Sequence, residues 1–203
     1  LDGRRTTAAL GIAGLSADLE PWQDRAVVEF GNAWADYWNS RHADERERVE
    51  QQRRQLELRH EVTHVRYRPA GTMHDDDDPR WDLYADCLTI GRRSHPRATD
   101  DAPTLSTPAW AEFFRQAHSA AAHLGTLDLN LLYVYDEPAA SVYNYMVDDA
   151  VTTAATGVAE KFAGDDVDAV LHYQMLRQSH AWGDRTIDLG PSSDERNRFW
   201  ATR

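Results

Sequence analysis

Cysteine is nearly missing from this chain of 203 residues, where Cys87 stands alone. That excludes an intrachain disulfide and any metal cluster built on several thiolates. Lysine is as scarce: Lys161 is the single example, so positive charge rests on arginine. We read this bias as genome composition or salt adaptation rather than chemistry. No apolar run is long enough to span a bilayer, and no secretory pattern opens the chain. The expectation is therefore a soluble, cytoplasmic protein without membrane insertion. The start at Leu1 is what a fragment would show, with a preceding segment or domain missing.

Positive charge is short overall. The net charge of −12 speaks against a nucleic-acid binder, which needs a basic face for phosphates, and equally against docking on anionic lipid. Gly-x-Ser-x-Gly, Gly-x-Gly-x-x-Gly and Walker loops are all absent. Cys87 lies on an apolar helical stretch with no partner nearby in sequence, so nucleophilic catalysis is not expected. There are no internal repeats. The one biased tract, Asp75–Asp78 after His74, lacks the spaced ligands and glycine turn of a calcium loop. It reads as a solvated loop, and no metal is expected.

Residues 1 to about 20 have little periodicity and read as an extended lead-in, with helical character from Pro21–Trp22 onward. Trp34, Tyr37 and Trp38 share one helical face and read as a packing stripe. Arg41–Arg59 alternates charges of both signs, which predicts a solvated helix with i, i+4 pairs. Val62–Tyr67 follows as a strand. Trp81–His95 predicts a helix with Trp81, Tyr84, Leu88 and Ile90 on one side, and Ala98–Thr104 a linker. Thr107–Pro108 starts another helix, which ends at Gly125 and should bury Ala109, Phe113, Ala117 and Ala120.

From Asp128 to Gly190 the pattern is strand, strand, strand, loop, helix, strand. Leu129–Tyr135 is the first strand, broken by Glu137–Pro138. Ala139–Val147 is the second, Asp148–Asp149 a hairpin turn, and Ala150–Thr156 the third. Gly157 should open a polar loop into a helix over about Asp168–Trp182, stopped by Gly183–Asp184. Arg185–Leu189 returns as a strand. Val167, Val170, Leu171, Met175 and Trp182 give this helix one apolar face for a sheet.

The order Ala139–Ala140, Tyr143–Asn144–Tyr145, Asp148–Asp149, Thr156–Gly157 and Asp188–Leu189–Gly190 resembles the C-terminal half of GNAT-type acyltransferases. The BioF2-like, cellulose-biosynthesis-associated acetyltransferase branch, distantly related to the FemAB aminoacyl transferases, is the nearest in pattern. The resemblance implies an α/β (α+β) fold: a mixed, largely antiparallel sheet flanked by helices. It implies residues 71–203 as the acyltransferase domain, behind an N-terminal part (1–70) holding lead-in, charged helix and first strand, or one continuous domain. It also implies transfer of an acyl group from acyl-CoA, a co-substrate rather than a tightly bound cofactor, or from a related thioester, to a small-molecule amine. A homo-oligomer is compatible with this reading. The alternatives are a catalytically degenerate GNAT-derived binding module and a FemAB-like aminoacyl transferase.

In such a fold the donor's pyrophosphate lies at a helix N-terminus, where free N–H groups and the helix dipole attract an anion. Thr156, Gly157, Gly164, Val167 and His172 are the donor-binding candidates, with Gly164 supplying the turn. Asp165, Asp166 and Asp168 stand at the same place. They could cap the helix, but like charges 4 Å apart cost about 4 kcal/mol at an effective dielectric near 20, which disfavours a diphosphate. Tyr143 and Tyr145 on one strand face, Asn144 on the other, and Asp188 at a strand end are the catalytic candidates. Asp188 either orients substrate or caps the next turn. His172 and Asp168, four apart, are spaced to pair. In the tail, Arg196–Asn197 stands where relatives carry Tyr-Lys, and Arg196 or Arg198 would supply the cation.

Overall fold

The computed structural model describes residues 24–93, 108–191 and 195–203, together with Ile12 and Leu105. Strand β1 (Arg25–Glu29) leads to helices α1 (Trp34–Asn39) and α2 (Ala43–Arg59), then β2 (Val62–Tyr67). Helices α3 (Trp81–Arg93) and α4 (Pro108–Leu124) precede β3 (Leu127–Val134), β4 (Glu137–Val147) and β5 (Ala150–Val158). A 3-10 turn at Glu160–Asp165 enters α5 (Val167–Trp182), followed by β6 (Thr186–Pro191) and α6 (Glu195–Trp200).

The strands form one six-stranded sheet in the order β1-β6-β5-β4-β3-β2. All neighbours are antiparallel except β5 and β6, which the α5 crossover makes parallel. The expected α/β sheet with flanking helices is thus present. The β4–β5 hairpin closes through Asp148–Asp149, with Val147 opposite Ala150 and Asp148 in the left-handed region at φ 54°, the twist such turns need.

Each face of the sheet carries its own core. On one, α1, α2 and α5 pack Trp38, Val49, Leu56, Leu171 and Met175 against Val142, Val151 and Ile187. On the other, α3 and α4 pack Tyr84, Cys87, Ile90, Phe114 and Ala122 against Leu127, Leu129, Leu131 and Tyr143. The stripe Trp34, Tyr37 and Trp38 is packing: Trp38 stacks on Trp200 and meets Tyr173 edge-on.

Several boundaries differ from the sequence expectation. Glu137–Pro138 does not break the strands but opens β4, since a proline is tolerated in a strand's first residues; the break is at Tyr135, with φ 55°. Gly157 opens no loop, because it lies in β5 opposite Ser141. The buried face of α4 is Phe114, His118, Ala121 and Ala122, while Phe113 and Ala120 face solvent. The buried stripe lies about one residue from the expected register, because alanines on neighbouring faces blur the apolar pattern of this helix. Trp182 is 48% exposed rather than sheet-facing. Strand β1 was not anticipated: five residues, RAVVE, carry too little alternation to announce a strand. The lead-in, Pro21–Trp22, Ala109's burial, the Ser94–His95 end of the helix and the Ala98–Thr104 linker lie outside the described residues.

A close backbone crossing ties α4 to the segment after β2. Gly125, φ +68°, ends α4, and a Cβ there would stand 2.7 Å from the Ala70 carbonyl oxygen. The aspartates after it are held locally: Asp76 accepts from the Ala70 N–H, Asp77 from the Thr72 hydroxyl and Asp78 from the Arg80 N–H. Among the described residues, no three His, Cys, Asp or Glu side chains converge as a metal site would require.

Candidate functional site

The site begins with an interruption in the sheet. β5 and β6 share only three rungs, Ala150↔Thr186, Val151↔Ile187 and Thr152↔Asp188. The register of β4 against β5 shifts between Tyr143↔Ala155 and Asn144↔Thr153, which leaves Ala154 without an opposite number. A bulge bends its strand and frees backbone groups from the ladder. Here it falls just past the last rung with β6, so the two parallel strands part at Thr153 and Leu189 below the start of α5.

Asp166 turns the chain into α5 with φ 48°, in the left-handed region, and does not cap the helix with its side chain. Its carboxylate takes a hydrogen bond of 2.6 Å from Arg48 of α2, which also holds Glu45. The capping role is thus replaced by an ion pair to a neighbouring helix. Gly164 does not make the turn: it sits in the 3-10 segment without positive φ. Val167 is wholly buried in the core. His172 bonds through Nδ1 to the Asp168 backbone carbonyl at 2.8 Å and stacks on Trp200. Thr156 and Gly157 lie on β5 beyond the bulge, opposite Val142 and Ser141. Of the donor-binding candidates, these two border the gap directly.

Paired strand residues share a face, so Tyr145, Thr152 and Asp188 form a row across β4, β5 and β6 on the α3/α4 side. Tyr143 sits behind Tyr145 on that face, fully buried, and its hydroxyl meets His118 Nδ1 at 2.9 Å. Burial pushes the Tyr143 phenol far up and the His118 imidazole down. Asp188 is already engaged, accepting from Arg25 Nε at 3.0 Å and from the Gly190 N–H at 2.9 Å. Asn197 donates to the Leu189 and Pro191 carbonyls and so pins the end of β6.

Asn144 is separated from the two tyrosines, as its strand position requires. It faces α5 within a buried polar network that sequence reasoning missed. Arg66 and Asp128, both with fully buried side chains, form a two-pronged ion pair at 2.8 Å. Arg68 joins Asp128 to Asp184, the latter at 2.9 Å. Arg66 also donates to the Met175 carbonyl and the Ser179 hydroxyl, and Asn144 donates to Asp128. Trp182 lies over both guanidinium groups at 4.6 and 5.0 Å, which explains its outward position. Burial alone would raise the Asp128 carboxyl, but the bonds and charges of Arg66 and Arg68 outweigh it and hold it below the usual range.

A split parallel pair with a bulge before the crossover helix, on a mostly antiparallel sheet with helices on both faces, defines a GNAT-type acyltransferase fold. The chain belongs to the acetyltransferase (GNAT) domain family, whose model matches residues 43–197. Three solved structures are similar. The chain is 12% identical to FemX, covering 98% of this chain and 65% of that one, with a TM-score of 0.60. It is 11% identical to L-PGS from Bacillus licheniformis over 83% of this chain and 45% of that one, with a TM-score of 0.52. The C-terminal domain (DUF2156) of a protein assigned as a lysylphosphatidylglycerol synthetase, from Agrobacterium fabrum, is 9% identical over 85% of this chain and 48% of that one, with a TM-score of 0.52. The chain thus spans about half to two thirds of the structures it resembles. The family assignment does not extend to the BioF2-like branch. No curated protein matches the sequence.

Proposed function

We propose that the protein transfers an acyl group from a CoA or carrier thioester to a primary amine. The observation that carries this reading is the three-rung β5–β6 pair, opened by the bulge at Ala154 directly below α5. The parting of β5 from β6 gives room for an extended donor arm, and the start of α5 offers helix-terminal N–H groups to its phosphates. The amine would approach from the α3/α4 face, over the row Tyr145–Thr152–Asp188. Its nitrogen attacks the thioester carbonyl carbon, a C–N bond forms, the C–S bond breaks, and the thiolate leaves. The ammonium proton must pass to a base or solvent, and Tyr145 and Asp188 are the groups on that row able to accept or relay it. A tRNA-borne aminoacyl donor is the second reading, favoured by the likeness to FemX over nearly the whole chain. The net charge of −12 opposes so polyanionic a donor.

Acetyl transfer from acetyl-CoA to a panel of amines, read by thiol release, tests the reading. Release with none of them, together with no heat on titration with CoA, would leave the binding-module alternative. Two variants sharpen it. Asp166→Ser removes a carboxylate from the start of α5 and frees Arg48 for phosphate. Terminal charge effects of about 0.3–1 kcal/mol, with an exposed pair contributing up to about 1 kcal/mol, predict CoA binding about fivefold tighter by calorimetric titration. Weaker binding would mean that Arg48 already serves the donor from its present position. Asp188→Asn should lower turnover about tenfold or more, while chemical denaturation changes by no more than about 1 kcal/mol, since its pair with Arg25 is exposed. Unchanged turnover would confine Asp188 to holding Arg25 and Gly190.

A further inference from the structure

Beside the row just described, aromatic side chains gather between α3, α4 and β4. His118 lies 4.9 Å from Trp81 and 4.5 Å from Tyr84, ring to ring, and Tyr143 lies 6.3 Å from Tyr84 and 5.4 Å from Tyr145. His118 Nε2 meets the Pro79 carbonyl oxygen at 2.5 Å and must donate to it. In the neutral ring that burial favours, Nδ1 is then bare and takes the Tyr143 hydroxyl hydrogen. The Tyr143 hydrogen is thereby committed. Its two phenolic neighbours are not served. Tyr84 is 4% exposed, and its buried hydroxyl has no partner among the described residues. The Tyr145 hydroxyl is buried too and has no well-aligned partner among the described residues, although it lies near enough to the Tyr143 hydroxyl for the two phenols to shift each other's ionisation. Buried hydroxyls without partners are unfavourable, and two of them on either side of one tyrosine mark a place built for something that accepts hydrogen bonds.

We propose that Tyr84 and Tyr145 bind a carbonyl oxygen of the acceptor, so that the acceptor is an amine carrying a neutral amide or ester carbonyl near its nitrogen. This rests on the acyltransferase reading and narrows it. Both phenols stay protonated, their ionisation pushed up first by burial, and so act as donors. A carboxylate fits poorly. The charged groups nearest Tyr84, Glu112 and Arg115, pair with each other at 2.7 Å, and Cys87 is buried with its thiol pushed up to about 12. Asp86 is bonded to Tyr133. Among the described residues, no spare cation remains on α3, α4 or β4 beside the phenols to balance an anion. Trp81, the most exposed ring of the group, stands edge-on to Tyr84 and must swing aside for entry.

The test uses Tyr84→Phe and Tyr145→Phe, with acetyl-CoA as donor and glycinamide, glycine and ethylamine as acceptors. Wild type should prefer glycinamide over both others. Tyr84→Phe should raise the KM for glycinamide about three- to tenfold, the value of one or two neutral hydrogen bonds, with kcat and the ethylamine KM moving less. Tyr145→Phe should raise the glycinamide KM alike and, because Tyr145 also stands where the proton is relayed, lower kcat with both amines. Without ligand, Tyr84→Phe should melt at the same temperature or higher, because an unmet buried hydroxyl has been removed. A lower melting temperature would show that the hydroxyl already has a partner, and would overturn the proposal. So would equal use of glycinamide and ethylamine by wild type. If no amine is acetylated, the acyltransferase reading fails separately. The site then stands on saturable glycinamide binding, followed by chemical shifts of the tyrosine rings and weakened by Tyr84→Phe. Absence of that binding overturns it.

Discussion

Asp128→Ala should lower the free energy of unfolding by about 3–5 kcal/mol, the range for breaking a buried ion pair from one side. The substitution strips Arg66 of both carboxylate bonds in a place where neither side chain sees water. It also takes one bond from Arg68 and one from Asn144. Arg66 would keep its bonds to Met175 and Ser179 and the Asp184 carboxylate at 3.5 Å, but Asp184 is already held by two bonds from Arg68 and offsets the Arg66 charge only in part. Replacing both partners, Asp128→Leu with Arg66→Met, should recover most of the loss, because Arg68 and Asp184 still pair with each other. The sign of the pH dependence follows from the depressed Asp128 carboxyl. A depressed folded pKa gives stability that is complete above the unfolded value near 3.9 and lost as pH falls through the folded one. Wild type should therefore lose stability below about pH 4, and the double variant should lose less there. Urea denaturation at pH 7 and pH 3 reads both effects. A loss under 1 kcal/mol for Asp128→Ala would mean that water reaches Arg66.

The second large effect is expected at the crossing of the α4–β3 turn with the segment after β2. Gly125→Ala should lower stability by about 2–5 kcal/mol, combining the left-handed penalty of about 1–2 kcal/mol with overpacking of about 1–3 kcal/mol. The clash is with backbone, 2.7 Å from the Ala70 oxygen and 2.8 Å from its carbonyl carbon, so no side-chain rotation relieves it. The turn itself is fixed by bonds from Gly125 N–H to Ala122 and from Thr126 N–H to Ala121. Gly164→Ala is the control. A Cβ there meets nothing within 4 Å, and the variant should melt at or slightly above the wild-type temperature. Equal melting of the two variants would show that the crossing yields.

These two positions also show what a single sequence conceals. The hairpin through Asp148–Asp149, strand β2 and helix α5 were legible because their signals are local: alternation, a two-residue polar turn, a 3.6-residue stripe closed by Gly183. The Arg66–Asp128 pair spans 62 residues, and each partner alone reads as a surface charge. Only the strand pattern around Asp128, charged between Leu127 and Leu129, hinted that its face was not plainly apolar. His118 was hidden by the misplaced stripe on α4. Shifting that stripe to Phe114, His118, Ala121 and Ala122 would have put the histidine inside and demanded a partner for it. The candidates on the central strands were legible only as residue types at strand positions; the row Tyr145–Thr152–Asp188 needs the register of three strands, which no local pattern encodes.

The placement of β1 has a consequence for how the chain is made. Residues 25–29 pair with β6, and Val27 also exchanges backbone bonds with Thr202 and Arg203. A ribosome delivers these partners some 160 residues after β1 itself, so during synthesis β1 has no sheet to join. Strands β3 to β5 can assemble first, from two hairpins close in sequence, β2 joins them across α3 and α4, and the β1 edge closes last and across the longest loop. Until then β6, which borders the gap with β5, lacks its outer neighbour. The gap between β5 and β6 is therefore the last part of this sheet to take shape, after Thr202 and Arg203 have joined β1.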